Sequence, residues 1–256
     1  MGKTDCVLDF TVRLGREMLE CGANLERVNL TIMKICKSYG LSETAIYSLS
    51  TYISVSAREI GKESKSRFIS VPFNGIHLEK LHRLCSLADQ ICEEKPQPET
   101  LEDRLFETLM VPNYSVLTTI AGYMLAMSCL CLLFGGKIGD VAVVNVSTIL
   151  LYYAVMYLSR KNLNRIIMNP VCMFLAGTIA LGAYHTGIAT DFHAIIITNA
   201  FYLIPGIPMV NAMRNLLCGN EMNGIIEMFK VVLEVSTIVL GLFLACCLFG
   251  KGIPFV

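Results

Sequence analysis

Charge is scarce in this sequence and unevenly distributed. Only 16% of its residues are charged and the mean hydropathy is +0.57, whereas ordinary soluble domains carry roughly 25% charged residues. Residues 1–113 contain 14 of the 21 basic and 16 of the 21 acidic residues, which leaves only 7 and 5 for the longer remainder. The net charge is zero, so no basic surface indicates binding to nucleic acid.

Several signatures of enzymes and metalloproteins are also missing. The eleven cysteines form no C-x-x-C pair and no Cys/His cluster at zinc spacing, so we expect free thiols in a reducing compartment. No phosphate-binding glycine loop or G-x-S-x-G motif occurs, and His77 and His82 have no acid–nucleophile neighbours. We therefore expect no enzyme, no cofactor and no metal site. Residues 1–9 lack the apolar core of an export signal, so we expect the first domain to stay in the cytoplasm.

Hydrophobic spacing in the first part of the chain predicts a small α+β domain. Apolar residues recur at helical spacing in three segments and alternate with polar residues in three shorter ones. Gly22 and Asn24 are cap signals between the first two helices. The predicted domain, residues 1–111, has the order ααβββα plus a connector helix: 5–20, 25–38, 44–50, 51–59, 66–71, 76–93 and 101–110.

In the remainder, residues 112–256, long apolar stretches predict an all-α membrane domain. A transmembrane helix needs about 20 apolar residues. Five stretches satisfy this length: 114–134, 138–158, 170–189, 192–211 and 228–249. In the third, Pro170 would stand at the helix start, where proline is tolerated.

Basic residues in the loops predict the orientation in the bilayer. Arg160, Lys161 and Arg165 crowd the loop between spans two and three, and Arg214 and Lys230 border the loop between spans four and five. The positive-inside rule then places the N-terminal domain in the cytoplasm and the C-terminus outside, in a multi-pass protein of the cell membrane.

The fourth span contains the segment Pro205–Pro208, PGIP, within an apolar run. Each proline removes a backbone donor and disturbs a helical hydrogen bond. Transporters use such breaks to direct free backbone groups at their substrates, and Asn199, Tyr202 and Asn211 would add polar side chains. The alternative is a structural kink.

Glu234 lies two turns into the fifth span. An ionisable group at such a position marks a proton or ion route. The alternative is an ion pair with Lys230, four residues earlier on the same helical face. Four other ionisable residues lie near span ends and are expected at the membrane interface: Asp140, His185, Asp191 and His193.

Three stretches resemble the threonine/serine exporter family. Residues 15–41 and the strand-rich 51–59 resemble its N-terminal domain, and residues 205–225 resemble its membrane signature, a Pro-Gly-x-Pro turn followed by N-x-x-R-D-L-L-x-G. Asn215 replaces the family's usual Asp. The signature positions that fit are Asn211, Arg214, Leu216, Leu217 and Gly219.

The resemblance implies efflux of small polar metabolites, either amino acids such as threonine and serine or dicarboxylates such as succinate. Single-chain members have about ten spans. A chain with five spans therefore resembles the longer subunit of the family's split form, in which a second small polytopic membrane protein carries the other half. Self-association is the other way to cover the broken span. The predicted transport route contains Asn199, Tyr202, Pro205, Gly206, Pro208, Asn211, Arg214 and Glu234.

Two other functions compete with export. A membrane-anchored sensor or regulatory subunit would bind a metabolite in its cytoplasmic domain and need no polar route through the bilayer. A membrane-bound hydrolase would need a nucleophile and base pattern, which the sequence lacks.

Overall fold

The computed structural model describes residues 2–72, 76–110, 114–161 and 163–250. They form two compact units. The first consists of Met1–Pro112 with Ile207–Met228, and the second of Asn113–Gly206 with Phe229–Val256. The predicted domain boundary between residues 111 and 112 lies outside the described residues, and the division into 1–111 and 112–256 stays a prediction.

The first unit begins with two amphipathic helices, α1 (Lys3–Glu20) and α2 (Leu25–Ser38). Between them, Gly22 adopts φ +92°, a conformation that glycine reaches without a steric penalty. The Asn24 side chain accepts a hydrogen bond from the Arg27 N–H at 2.8 Å and caps α2. Both cap predictions are confirmed.

An antiparallel sheet follows, with strand order β1-β2-β3. Its strands are Leu41–Leu49, Tyr52–Glu59 and Lys65–Ser70. β1 begins three residues before the predicted position 44, because a bulge between Ser42 and Ala45 interrupts the alternation that sequence reasoning follows. One face of the sheet packs on α1, where a Cβ added to Gly15 would stand 3.0 Å from Ile53.

Ion pairs join α1 to the last strand. Asp5 accepts from Lys65 at 2.6 Å and from Arg67 at 2.8 Å, and Asp9 accepts from Arg67 at 2.6 Å. The hydrogen bond from Lys65, with the charges of Lys65 and Arg67, lowers the pKa of Asp5. The unit continues with α3 (Leu78–Glu94), a short 3-10 helix (Pro98–Thr100) and α4 (Leu101–Leu109).

The remaining elements are helices with apolar surfaces. They are α5 (Val116–Leu133), α6 (Ile138–Arg160), α7 (Arg165–His185), α8 (Phe192–Leu203), α9 (Gly206–Leu217) and α10 (Glu221–Phe249). Within the described residues, α5, α6, α7 and α10 are each long and apolar enough to cross a membrane, and α8 with α9 would add a fifth if they form one broken span. The chain is therefore mostly helical, with a small sheet near its N-terminus.

Two helices begin earlier than the predicted spans. α7 starts at Arg165, because the Asn164 side chain accepts from the Ile166 N–H and caps it, so Pro170 lies inside the helix and not at its start. α10 starts at Glu221, seven residues before the predicted 228. Both helices extend beyond the apolar segments from which the spans were predicted.

Within the second unit, α8 packs against α5, α6 and α7. α7 and α10 approach closely at small residues: a Cβ on Gly241 would overlap the Pro170 carbonyl, and one on Gly177 would stand 2.9 Å from Ala245. Small residues of this kind let membrane helices pack backbone to backbone.

Candidate functional site

The predicted fourth span is interrupted at its first proline. α8 ends at Leu203, and Ile204 is extended (ψ 126°), as expected for a residue before proline. The Gly206 N–H donates to the Ile204 carbonyl at 2.8 Å and closes a three-residue turn. Pro208 falls in the first turn of α9, where proline is tolerated. Pro205 thus follows the end of one helix, and Pro208 is accommodated in the first turn of the next.

Open space lies over the backbone at this break. A Cβ added to Gly206 would meet no atom within 4 Å in the described part of the chain. Pro205 itself is buried. A methyl group at position 206 would therefore displace none of the described residues.

Asn199 places a polar group inside the second unit just before the break. The residue is 1% exposed, and its Nδ2 has no hydrogen-bond partner among the described residues. The neighbouring Thr198 is satisfied, since its hydroxyl donates to the Ala194 carbonyl at 2.7 Å. An unpaired buried amide costs about 1–3 kcal/mol, so the Asn199 amide is a donor that a ligand could use.

Tyrosines and an arginine line a cavity of about 380 Å³ between α5, α6 and α8. Tyr202 meets Tyr123 edge-on with ring centroids 5.1 Å apart, and Tyr123 lies 6.3 Å from Tyr152. Arg160 lies in the same wall. Phenol and guanidinium groups both donate hydrogen bonds to carboxylates. The cavity can therefore hold the anionic end of a small polar molecule.

Sequence analysis missed most of this cavity and found only Tyr202. Arg160 entered the argument only as a loop charge. A signal was available: Tyr152, Val155, Met156, Ser159 and Arg160 follow the spacing i, i+3, i+4, i+7, i+8, one face of α6. Three of these five residues, Tyr152, Ser159 and Arg160, carry polar groups on one face of an otherwise apolar helix.

Glu234 lies on α10 in the second unit. Its Oε2 is buried and lacks a hydrogen-bond partner among the described residues. The positive charges that act on it are those of Arg165 and Lys230. Across the described chain no ion pair within 4.0 Å joins Glu234 to Lys230, so the ion pair proposed from helical spacing does not form here.

Pro208, Asn211 and Arg214 belong to the first unit, in contrast to the other five predicted route residues. The Asn211 amide donates to the Gly22 carbonyl at 3.1 Å. Arg214 is exposed and lines a cavity with residues of α2 and α3. The structure therefore brings these two residues to the N-terminal elements and leaves Asn199, Tyr202, Pro205, Gly206 and Glu234 in the second unit.

Two further contacts attach the segment after the break to the N-terminal elements. The Cys218 thiol donates to the Glu26 carboxylate at 3.2 Å, and this hydrogen bond raises the pKa of Cys218. The Asn223 amide donates to the Ser48 carbonyl at 3.3 Å. Residues 211–223 thus make side-chain contacts with three different parts of the N-terminal fold.

The acids near the span ends have structural roles. Asp140 is fully buried and accepts from the Thr190 N–H at 2.7 Å, the Thr190 hydroxyl at 2.9 Å and the Asp191 N–H at 3.1 Å. Asp191 in turn accepts from the Ala194 N–H at 3.0 Å and caps α8. These bonds fix the loop before α8 to the start of α6.

Comparison with protein families gives one finding. The family model described as "Putative threonine/serine exporter" (ThrE) matches residues 9–249. The chain matches no curated protein and no solved structure.

Proposed function

The chain belongs to the threonine/serine exporter family, and on this basis we propose that it is one membrane subunit of an exporter of small polar metabolites. The family is one of transporters rather than enzymes. Several helices of this chain are able to span a bilayer, as expected for a member of such a family. The chain is accordingly a multi-pass membrane protein.

The break between α8 and α9 is the observation that carries this proposal. Irregular backbone at membrane depth is tolerated only where it is buried in protein or lines a cavity. Here the break leaves open space over Gly206, and Asn199 on α8, the helix that ends at the break, supplies a buried amide without a partner among the described residues. These two features close to the break support a substrate route there.

We assign the route to the predicted residues in two parts. Asn199, Tyr202, Pro205 and Gly206 would surround the substrate at the break, with Glu234 as the ionisable group. Asn211 and Arg214 would act at the cytoplasmic end, because both contact or line features of the N-terminal elements.

The tyrosine-lined cavity supports a substrate that carries a carboxylate. Amino acids and dicarboxylates share a carboxylate, and Arg160 is the one cation in the cavity wall among the described residues. We propose that Arg160 binds this carboxylate, with Tyr123 and Tyr202 donating from their hydroxyl groups.

For the topology we propose five spans, with α8 and α9 counted as one, the N-terminal domain in the cytoplasm and the C-terminus outside. The basic residues at the end of α6 and the start of α7 support this orientation. The C-terminal residues 251–256 lie outside the described residues.

We further propose that a second small membrane subunit of the same family completes the transporter. Free backbone groups that face lipid cost several kcal/mol each, so the break needs a protein partner to enclose it. A second copy of this chain is the alternative enclosure.

Export assays test the proposal. Cells that contain this chain, the small partner, or both are loaded with threonine, serine or succinate, and release is followed. We expect release only with both subunits, and about a tenfold loss or more on Arg160→Gln, because a charge-assisted hydrogen bond is removed.

Lys161→Gln is the matched control, because it removes one positive charge at the adjacent position and Lys161 does not line the cavity. Equal release by cells that lack the chain would overturn the exporter function. Equal losses in the two variants would overturn the assignment of Arg160.

A second candidate function is a membrane-anchored sensing or regulatory subunit without transport of its own. The cavity between α2, α3 and Arg214 favours it, because a metabolite could bind there away from the bundle.

A further inference from the structure

A second cavity, of about 440 Å³, lies in the first unit between α2, α3 and α9. Its volume falls within the ~300–1,000 Å³ typical of small-molecule sites. Arg27 and Lys34 of α2 and Arg214 of α9 face it, with Glu26 and Asp89 as the acidic residues. Three cations and two anions therefore surround a space large enough for a metabolite.

The three cations have no close carboxylate partner among the described residues. None of Arg27, Lys34 and Arg214 forms an ion pair within 4.0 Å of a carboxylate in the described part of the chain. Elsewhere in the same unit the basic side chains of Lys65, Arg67 and Lys80 are each paired. Unpaired positive charges that converge on one cavity favour an anionic ligand.

The cavity also suits a ligand with a positive end. Asp89 lies on α3 and makes no ion pair among the described residues, and Glu26 accepts only the Cys218 thiol there. An ammonium group could bind these carboxylates while a carboxylate binds Arg27 and Arg214. An amino acid and a dicarboxylate each carry a carboxylate, so either compound could bind Arg27 and Arg214 in this cavity.

We infer that this cavity is a binding site for a small carboxylate metabolite, and that the ligand joins α2 and α3 to α9. Arg214 is the only lining residue from outside the N-terminal elements among those described. The side chains of Asn211, Cys218 and Asn223 already attach the same segment to that surface. A bound carboxylate would add a further link.

The consequence is regulatory, and this part rests on the proposed exporter function. α9 is the second half of the broken span, so a ligand that holds Arg214 would restrain the chain directly after PGIP. Occupancy would then report the cytoplasmic concentration of the exported class of compound to the break itself.

Hydrogen exchange on the full chain in detergent tests the site. L-serine and succinate are added separately, at matched ionic strength because the lining charges are exposed and salt screens them. We expect slower exchange in residues 24–34 and 206–217 with at least one of the two compounds. The compound that protects identifies the class, amino acid or dicarboxylate.

Lys34→Gln and Lys37→Gln form a matched pair. Both lysines are exposed on α2 and each change removes one charge, but only Lys34 lines the cavity. We expect the ligand concentration that gives half-protection to rise about tenfold in Lys34→Gln and stay unchanged in Lys37→Gln. Unchanged melting temperatures show that both variants are folded.

Protection that is absent with both compounds, or equal in the two variants, overturns the inference. Because this assay does not require transport, its result is independent of the result of the export assay. Export without protection refutes the cavity alone, whereas protection without export refutes the proposed exporter and leaves the binding site standing.

Discussion

The Asn215 amide donates a hydrogen bond to the Glu227 carboxylate at 2.8 Å. Asn215 is 1% exposed, and the bond joins α9 to the first turns of α10. This is the position at which the exporter signature usually carries Asp. An amide suits a carboxylate partner because it can donate, whereas an ionised Asp could only accept.

Asn215→Asp should therefore destabilise the chain at neutral pH by about 1–3 kcal/mol, because two carboxylates would meet in a buried site. The melting temperature of the purified chain measures this effect. The loss should shrink as the pH falls, because one of the two carboxyl groups becomes protonated and can donate.

Two companion variants make that prediction specific. Asn215→Asp combined with Glu227→Gln should restore stability at neutral pH, because the new amide donates to the new carboxylate. Asn220→Asp adds the same charge five residues away and should have little effect. Failure of the double variant to recover would contradict this explanation.

The ion pairs of Asp5 predict a pH-dependent contribution to stability. Lys65 and Arg67 lower the pKa of Asp5 below its ordinary 3.8, so its stabilisation is present above that value and is lost as the pH falls through the lower folded-state pKa. Asp5→Asn should lower the melting temperature at pH 7, and the difference should vanish below the folded-state pKa. Glu63→Gln, in the exposed turn before β3, is the control; a difference constant with pH would count against the ion-pair account.

The contact between α7 and α10 predicts which glycines tolerate a methyl group. Gly241→Ala should cost about 1–3 kcal/mol, because its Cβ would overlap the backbone of Pro170. Gly182→Ala on α7 meets no described atom within 4 Å and should cause no loss. Thermal unfolding of the two variants measures the difference, and equal stabilities would show that the helices do not pack closely at Gly241.

If the buried carboxylate of Glu234 belongs to the route, we expect it to bind and release a proton during transport. Glu234→Gln keeps the shape and removes the charge, so export driven by a pH gradient in liposomes should fall while the amount of inserted protein is unchanged. Lys230→Gln should leave both unchanged, because no ion pair joins the two residues in the described chain. Full pH-driven export by Glu234→Gln would exclude a proton-carrying role.

Local patterns predicted the elements of this chain well. The caps at Gly22 and Asn24 and the proline break in the fourth span all arise from residues adjacent in sequence. The bulge in β1 and the early start of α7 were missed because each depends on a backbone detail that hydrophobic spacing does not encode.

The position of α9 could not be predicted from local pattern. Asn211 contacts Gly22 across 189 residues of sequence, and no spacing rule connects the two. Apolar run length placed Asn211 in the fourth span, yet its partner is a backbone carbonyl of the N-terminal fold. The cavity beside Arg160 was missed for a related reason, since Tyr123 and Tyr202 of two other helices complete its wall.

The central claim is that substrate passes the break in the fourth span, and a pair of glycine variants tests it most directly. Gly206 and Gly122 both have open space where a side chain would extend, with no described atom within 4 Å of an added Cβ. Gly206→Leu and Gly122→Leu should therefore both insert and fold.

The deciding measurement is the export of threonine, serine and succinate from cells that contain each variant with the partner subunit, at equal protein abundance. If the route passes the break, Gly206→Leu should reduce export about tenfold or more, because the leucine side chain would obstruct the passage. Gly122→Leu should export normally. Normal export by Gly206→Leu would contradict the account and leave the break as a structural kink.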